Sequence, residues 1–253
     1  MKGQFLTDRG KVRNYNEDAG GVFYNSFRQL LAIIADGMGG HQAGDVASQM
    51  AISLIEEKWK KSNELYSAEE AEQWISQAII EINESIYAHA LANSEYEGMG
   101  TTVVVTICTE EFITISHIGD SRCYLYSESG FNQMTEDHSL VNELVRSGQI
   151  SKDDAEQHPR KNVLLRALGT EENAIAETQS VWWKHGDRVL LCSDGLTNKV
   201  SDEELASFLT TDSDINEIGK QMVELANERG GEDNISLLIV WHDSTLKEGE
   251  NPC

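Results

Sequence analysis

Apolar residues fall along this chain in two rhythms. Leu30-Leu31-Ala32-Ile33-Ile34-Ala35 is an unbroken run with the length and branching of a buried strand. Val103 to Cys108, Ile113 to Ile118, Val189 to Cys192 and Ile235 to Trp241 repeat that character, and residues 112–118 and 122–127 read as neighbouring strands joined by turn residues. The short connections imply antiparallel pairing. Elsewhere the spacing lengthens to about four. Val46/Ala47, Met50/Ala51, Leu54/Ile55 and Trp59 predict a helix over 45–60, and Ala71, Trp74, Ile75, Ala78, Ile79, Ile82 and Ile86 predict a second one running to about Leu91. Ser67-Ala68-Glu69-Glu70 and Ser201-Asp202-Glu203-Glu204 are capping boxes, the latter opening a helix through Phe208. Ile215 to Ala226 is helical, and a strand is expected to begin at Val181-Trp182-Trp183.

Where the apolar strands stop, acids appear. Asp36-Gly37 ends the first run, Gly119-Asp120 another and Ser193-Asp194-Gly195 a third, while Asp233 precedes the last strand. Strand ends can hold functional groups in fixed positions. Four carboxylates so placed repel one another unless a cation lies between them. Carboxylates, backbone carbonyls and waters suit hard ions such as Mg2+ and Mn2+. Zinc spacing is absent: Cys108, Cys123, Cys192 and Cys253 form no Cys-x-x-Cys pair, and His-Glu-x-x-His does not occur. Gly37-Met38-Gly39-Gly40 lacks the third glycine of a dinucleotide loop, and Leu191 stands where a nucleophile elbow at Ser193 needs glycine.

Charge narrows the partners. With 20 Lys and Arg against 43 Asp and Glu, the net charge is −23. This argues against nucleic acid and anionic membranes as partners, which need a basic face, and against a two-metal nuclease, whose basic groove such a chain is poorly equipped to provide. No apolar run approaches a membrane span and no leader opens the chain, so a soluble cytoplasmic protein is expected. The scattered cysteines fit buried thiols in a reducing compartment. One domain over 1–243 and a polar tail over 244–253 are expected.

Three further features stay open on the residues alone. Arg13, just before Asn16-Glu17-Asp18, carries a fork that fits a phosphate, yet it also reads as a solvated surface arginine. Residues 139–170 are polar and punctuated, with a short helix at Leu140 to Val145, and suggest a flap over the site. Arg160, Lys161 and Arg166 there are as consistent with solvated charge as with substrate contact. Asp120 either binds an ion or pairs with Arg122 as a turn carboxylate.

Taken in order, Thr7-Asp8-x-Gly10 with Arg13 and Asn16-Glu17-Asp18, Asp36-Gly37-Met38-Gly39-Gly40-His41, Gly100-Thr101-Thr102, Gly119-Asp120-Ser121-Arg122, Ser193-Asp194-Gly195-Leu196 and Asp233-Asn234 resemble the metal-dependent Ser/Thr protein phosphatases of the PPM, or type 2C, family. The likeness spans about residues 3–242. The Met-Gly-Gly-His form and Thr135-Glu136-Asp137-His138-Ser139 look most like its small bacterial branch, whose members oppose a eukaryotic-type Ser/Thr kinase. That resemblance implies an α+β fold, an αββα sandwich of two antiparallel sheets flanked by helices. It implies that Asp36 bridges two Mn2+ or Mg2+ ions, that the Gly37 carbonyl binds one, and that Asp194 and Asp233 complete the first. Glu17, Asp18 and Asn234 would support the pair, and Asp120 with Asp194 would hold a third, weaker ion. Arg13 would grip the phosphate, and His41 matches a general acid or flap contact. Phosphate-monoester hydrolysis demands accelerations up to ~10²¹-fold, whereas one acid or base supplies ~10²–10⁴. His41 alone is therefore not the engine, and the expected reaction is in-line attack by a hydroxide bridging two metals on phosphoserine or phosphothreonine. Phosphoproteins, among them a cognate kinase, are the expected partners of a monomer.

Overall fold

The computed structural model describes residues 1–40, 43–211 and 213–243. His41 and the tail 244–253 lie outside the described residues. Strands β1 (Lys2–Asp8), β2 (Asp18–Tyr24) and β3 (Leu30–Met38) are followed by helices α1 (Ala43–Lys60) and α2 (Ala68–Ala92). Strands β4 (Gly100–Thr101), β5 (Val103–Cys108), β6 (Phe112–Ile118), β7 (Arg122–Ser127) and β8 (Gly130–Gln133) come next. The polar excursion holds α3 (Leu140–Arg146) and α4 (Lys152–Glu156). The chain then forms β9 (Glu177–Trp182), β10 (Arg188–Cys192), α5 (Asp194–Thr197), α6 (Asp202–Thr210), α7 (Ile215–Glu228) and β11 (Ile235–Trp241).

Two antiparallel sheets result, one ordered β1-β11-β10-β7-β8 and the other β2-β3-β5-β6-β9 with β4 on β3. Period-2 alternation sorts each strand between two cores. Leu31, Ile33 and Ala35 of β3 face the α1–α2 layer, whereas Leu30, Ala32 and Ile34 face the opposite sheet. In β11, Leu238 and Val240 join that inter-sheet core, while Ile235, Leu237 and Ile239 meet α6 and α7. A sheet covered on both faces needs strands apolar on both sides, which accounts for the unbroken runs. The α+β architecture, an αββα sandwich, is the one expected.

One strand boundary departs from expectation. Val181-Trp182-Trp183 ends β9 instead of beginning it. Its earlier residues are polar because β9 pairs with β6 through hydroxyls: Ser116 with Thr178 at 2.7 Å and Thr114 with Ser180 at 2.8 Å.

Candidate functional site

Antiparallel pairing brings the ends of β3, β6 and β10 and the beginnings of β2 and β11 to one end of the sandwich. In the β2–β3 register Asp18 stands directly opposite Asp36. Asp194 opens α5 right after β10, Asp120 follows β6, and Asp233 lies two residues before β11. All are half-buried except Asp18, which is buried.

The scaffold around these acids is specified by small and hydroxylic residues. A Cβ on Gly37 would meet the Gly44 carbonyl oxygen at 2.1 Å, so glycine is required for α1 to start hard against the end of β3. The Gly37 N–H donates to the Glu17 carbonyl (3.1 Å), and Ser48 Oγ on α1 donates to the same oxygen (2.6 Å). The Asp36 carbonyl accepts from the Thr102 N–H and the Thr101 hydroxyl, both at 2.9 Å, and the Asp36 N–H donates to Thr102 Oγ1 (3.1 Å). Asn234 ties down the N-terminal loop. Its Nδ2 donates to the carbonyls of Arg9 (2.8 Å) and Tyr15 (2.9 Å), and its Oδ1 accepts the Glu17 N–H (2.9 Å).

The carboxylates themselves are poorly compensated. Asp18 Oδ2 accepts from Ser193 Oγ at 2.8 Å, but its buried Oδ1 has no partner. Burial, then the charges of Asp194 and Asp233, push Asp18 up to about 7 against the pull of the Ser236 and Ser193 hydroxyls. Asp36 is driven well above the carboxylate range by burial and by Asp18, Asp194, Asp120 and Asp233. Burial and Asp233 raise Asp194 to about 6, although Asn198 Nδ2 donates to its Oδ2 (3.0 Å). Burial, Asp194 and Asp137 raise Asp120 to about 7. Glu17 is raised as well, mainly by burial. Of the five aspartates only Asp233 forms an ion pair among the described residues, with Arg13 Nη2 at 2.6 Å. Burial opposes the Arg13 charge, but Asp233, Asp36 and Glu17 together hold it on the guanidinium.

The pairing of Asp120 with Arg122 is not what the structure contains. Arg122 Nε and Nη2 donate to both carboxylate oxygens of Asp137, at 2.7 to 3.2 Å. Asp120 is left to the aspartate cluster. Crowded, partly desolvated carboxylates, one with an orphaned buried oxygen, form a donor set made only of oxygen. That set fits hard divalent cations.

The model of a family described as protein phosphatase 2C matches residues 9–238. The chain belongs to the protein phosphatase 2C family. It is 48% identical over 247 residues to the serine/threonine phosphatase stp of Listeria monocytogenes, covering 98% of each chain. The structure of serine/threonine phosphatase Stp1 from Staphylococcus aureus superimposes with a TM-score of 0.89 at 38% identity, over 94% of this chain and 93% of that one. The catalytic domain of the phosphatase PstP, in complex with two manganese ions, matches with a TM-score of 0.83 at 32% identity, over 94% of this chain and 96% of that one.

In this phosphatase 2C chain, Asp36, Gly37, Asp120, Asp194 and Asp233 gather as the strand-end pattern anticipates, Asp18 and Arg13 join them as the family resemblance implies, and His41 lies outside the described residues. The supporting roles of Ser193, Thr101, Thr102 and Asn198 escaped sequence reasoning. Hydroxyls and amides that brace a backbone carry no periodicity, and only Gly100-Thr101-Thr102 and Ser193-Asp194-Gly195 beside the strands hinted at them.

Proposed function

We infer that the aspartate end is the catalytic centre of a metal-dependent Ser/Thr protein phosphatase, in which Asp36 would be the central ligand of two Mn2+ or Mg2+ ions. The Gly37 carbonyl, Asp194 and Asp233 complete their ligands, with Glu17, Asp18 and Asn234 supporting them. The observation that carries this reading is the convergence of five aspartates with a single ion pair among them. When bound, such ions supply Lewis-acid stabilisation of phosphoryl charge and lower the pKa of a coordinated water.

The chain's own groups do the rest. Asp233 and Asp36 hold the site's negative charge in place, and Asn234 and Thr102 prevent the strand ends from recoiling. Arg13, its side chain 48% exposed, turns its fork from Asp233 to the phosphate of a bound phosphoserine or phosphothreonine once Asp233 serves as a ligand. Asp120, with Asp194, would hold a weaker third ion. His41 is assigned proton delivery to the leaving alkoxide. Residues 139–170 contact the phosphoprotein as a flap, anchored where the Leu140 N–H donates to the Val163 carbonyl and Leu168 pairs with Thr101.

Among the described residues no helix is long and apolar enough to cross a membrane. Cys108, Cys123 and Cys192 are buried free thiols, and burial pushes Cys108 and Cys192 up to about 12. The buried thiols are consistent with a reducing cytoplasm, and we propose a monomer opposing a Ser/Thr kinase from the family resemblance alone. The test is turnover of phosphoserine and phosphothreonine peptides. Activity is expected with Mn2+ and lost with chelator, and full turnover by demonstrably metal-free protein would contradict the reading.

A further inference from the structure

At the end of the sandwich remote from the aspartates, three turns meet. The β5–β6 turn carries Glu110, the β9–β10 turn carries His185, and β11 runs into His242. Their backbones are stitched together: the Gly186 N–H donates to the His242 carbonyl (2.9 Å), the His242 N–H to the Asp187 carbonyl (3.0 Å) and the Trp183 N–H to the Glu111 carbonyl (3.2 Å). One donor atom each from Glu110, His185 and His242 lies within 4.8 Å of the others. The ring of His242 is only 1% exposed, whereas Glu110 and His185 are exposed.

The tautomer of His242 is readable. Its Nε2 lies 3.0 Å from the Glu110 carbonyl oxygen, an acceptor, so Nε2 carries the proton. The remaining lone pair sits on Nδ1, which is buried and has no partner. A ligating histidine commonly shows this arrangement, with one ring N–H given to a backbone carbonyl and the other nitrogen bare. In a second histidine pair only one ring shows it, His117, whose Nε2 lies 2.8 Å from the Glu136 carbonyl oxygen. His117 and His138 stack at 4.7 Å beside Glu177, but the Gly119 N–H donates to His138 Nδ1. That hydrogen bond puts the proton on His138 Nε2, 3.1 Å from Glu177 Oε1, and leaves the neutral ring no lone pair for a metal.

We propose that Glu110, His185 and His242 form a peripheral site for a Zn2+-class transition ion, separate from the phosphatase centre. Two imidazoles and one carboxylate are the donor set such ions favour over Mg2+, and three protein ligands leave a fourth position for water. The linear spacing that excluded zinc from the sequence does not apply here, because the three ligands come from separate turns. Strand β11 separates this site from Asp233 by its seven residues, roughly 20 Å at about 3.3 Å per residue. Glu110 Oε2 lies 3.8 Å from His242 Nε2, so its side chain must swing past the ring edge for an ion on Nδ1 to reach it, and a bound ion then cross-links the three turns.

Co2+ titrated into the full chain in excess Mg2+ tests the proposal, because four-coordinate cobalt with nitrogen ligands absorbs visibly and oxygen-only octahedral cobalt barely does. One equivalent of Co2+ is expected to develop visible bands that Zn2+ abolishes. His185→Ala and Glu110→Ala, both at exposed positions, should weaken Co2+ by roughly tenfold or more. Their Mn2+-dependent phosphatase activity should be unchanged, and Asp36→Asn should keep the bands. Absence of the bands, bands undiminished in His185→Ala, or bands lost in Asp36→Asn would each overturn the proposal.

Discussion

Two pairs of buried groups lie close together at the aspartate end and are treated in opposite ways. Asp137, its side chain 16% exposed, receives both arms of the Arg122 guanidinium. Asp18 and Asp36, register neighbours on β2 and β3, face each other with two serine hydroxyls acting on Asp18 and one of its oxygens bare. The fold is therefore able to place an arginine against a carboxylate that it largely covers, and it does so at the start of β7 in the opposite sheet. Leaving Asp18 and Asp36 without one creates a concentration of negative charge that a divalent cation relieves. The difference between the pairs separates a structural acid from a ligating one.

The largest expected effect is at the uncompensated pair. Asp36→Asn and Asp194→Asn should fold and lose turnover by roughly a thousandfold or more, since several kcal/mol of charge stabilisation goes with the ion. Steady-state kinetics at saturating Mn2+ checks this, and a near-normal rate in either variant would make these acids structural after all. Asp120→Asn should keep its fold and lose about 10²-fold in turnover, the scale of lost proton-transfer help. Since Arg122 is committed to Asp137, no ion pair with Asp120 is sacrificed, so a fall in melting temperature with unchanged turnover would end the third-ion role. Arg13→Ala should cost about 1.5–3 kcal/mol of transition-state binding, roughly ten- to hundredfold in kcat/KM, and Arg13→Lys should recover only part because the fork is missing. A KM unchanged in both would refute the phosphate contact. Arg122→Ala moves stability instead. It strands Asp137 and should lower stability by about 3 kcal/mol, read as a melting shift of roughly 6–12 °C, while the surviving folded enzyme keeps most of its turnover.

Much of this contrast is legible in the sequence, but unevenly. Strands covered on both faces, such as β3 and β11, announce themselves as apolar runs, and each points to the acid at its end. β1 and β2 are hidden. β1 is an edge strand with mixed polarity, and β2 carries Gly20 and Gly21, which break any apolar run, because a Cβ on Gly20 would meet the Phe5 ring at 2.5 Å. With β2 unseen, the register that sets Asp18 against Asp36 is unseen too. β9 is obscured by its hydroxyl pairs with β6. Arg122 is two residues from Asp120 and fifteen from Asp137, and chain proximity favours the wrong partner. Glu110, His185 and His242 lie on separate turns, and no spacing rule reaches them.

The central claim, that Asp18, Asp36, Asp120 and Asp194 are left without an ion pair for a cation, is tested most directly by melting metal-stripped and Mn2+-loaded protein side by side from pH 4.5 to 8. Without an ion, burial and the neighbouring aspartates push Asp18 and Asp120 up to about 7 and Asp194 up to about 6, above the ordinary carboxylate value. Between the unfolded value near 4 and those folded values the native state binds more protons than the unfolded one, so stability should fall as pH rises through this window. A cation bound at about a hundred times its Kd restores about 2.7 kcal/mol, so the loaded protein should melt roughly 5–10 °C higher at pH 8, with the gap closing toward pH 4.5. Superimposable melting curves for stripped and loaded protein across the whole range would contradict the account.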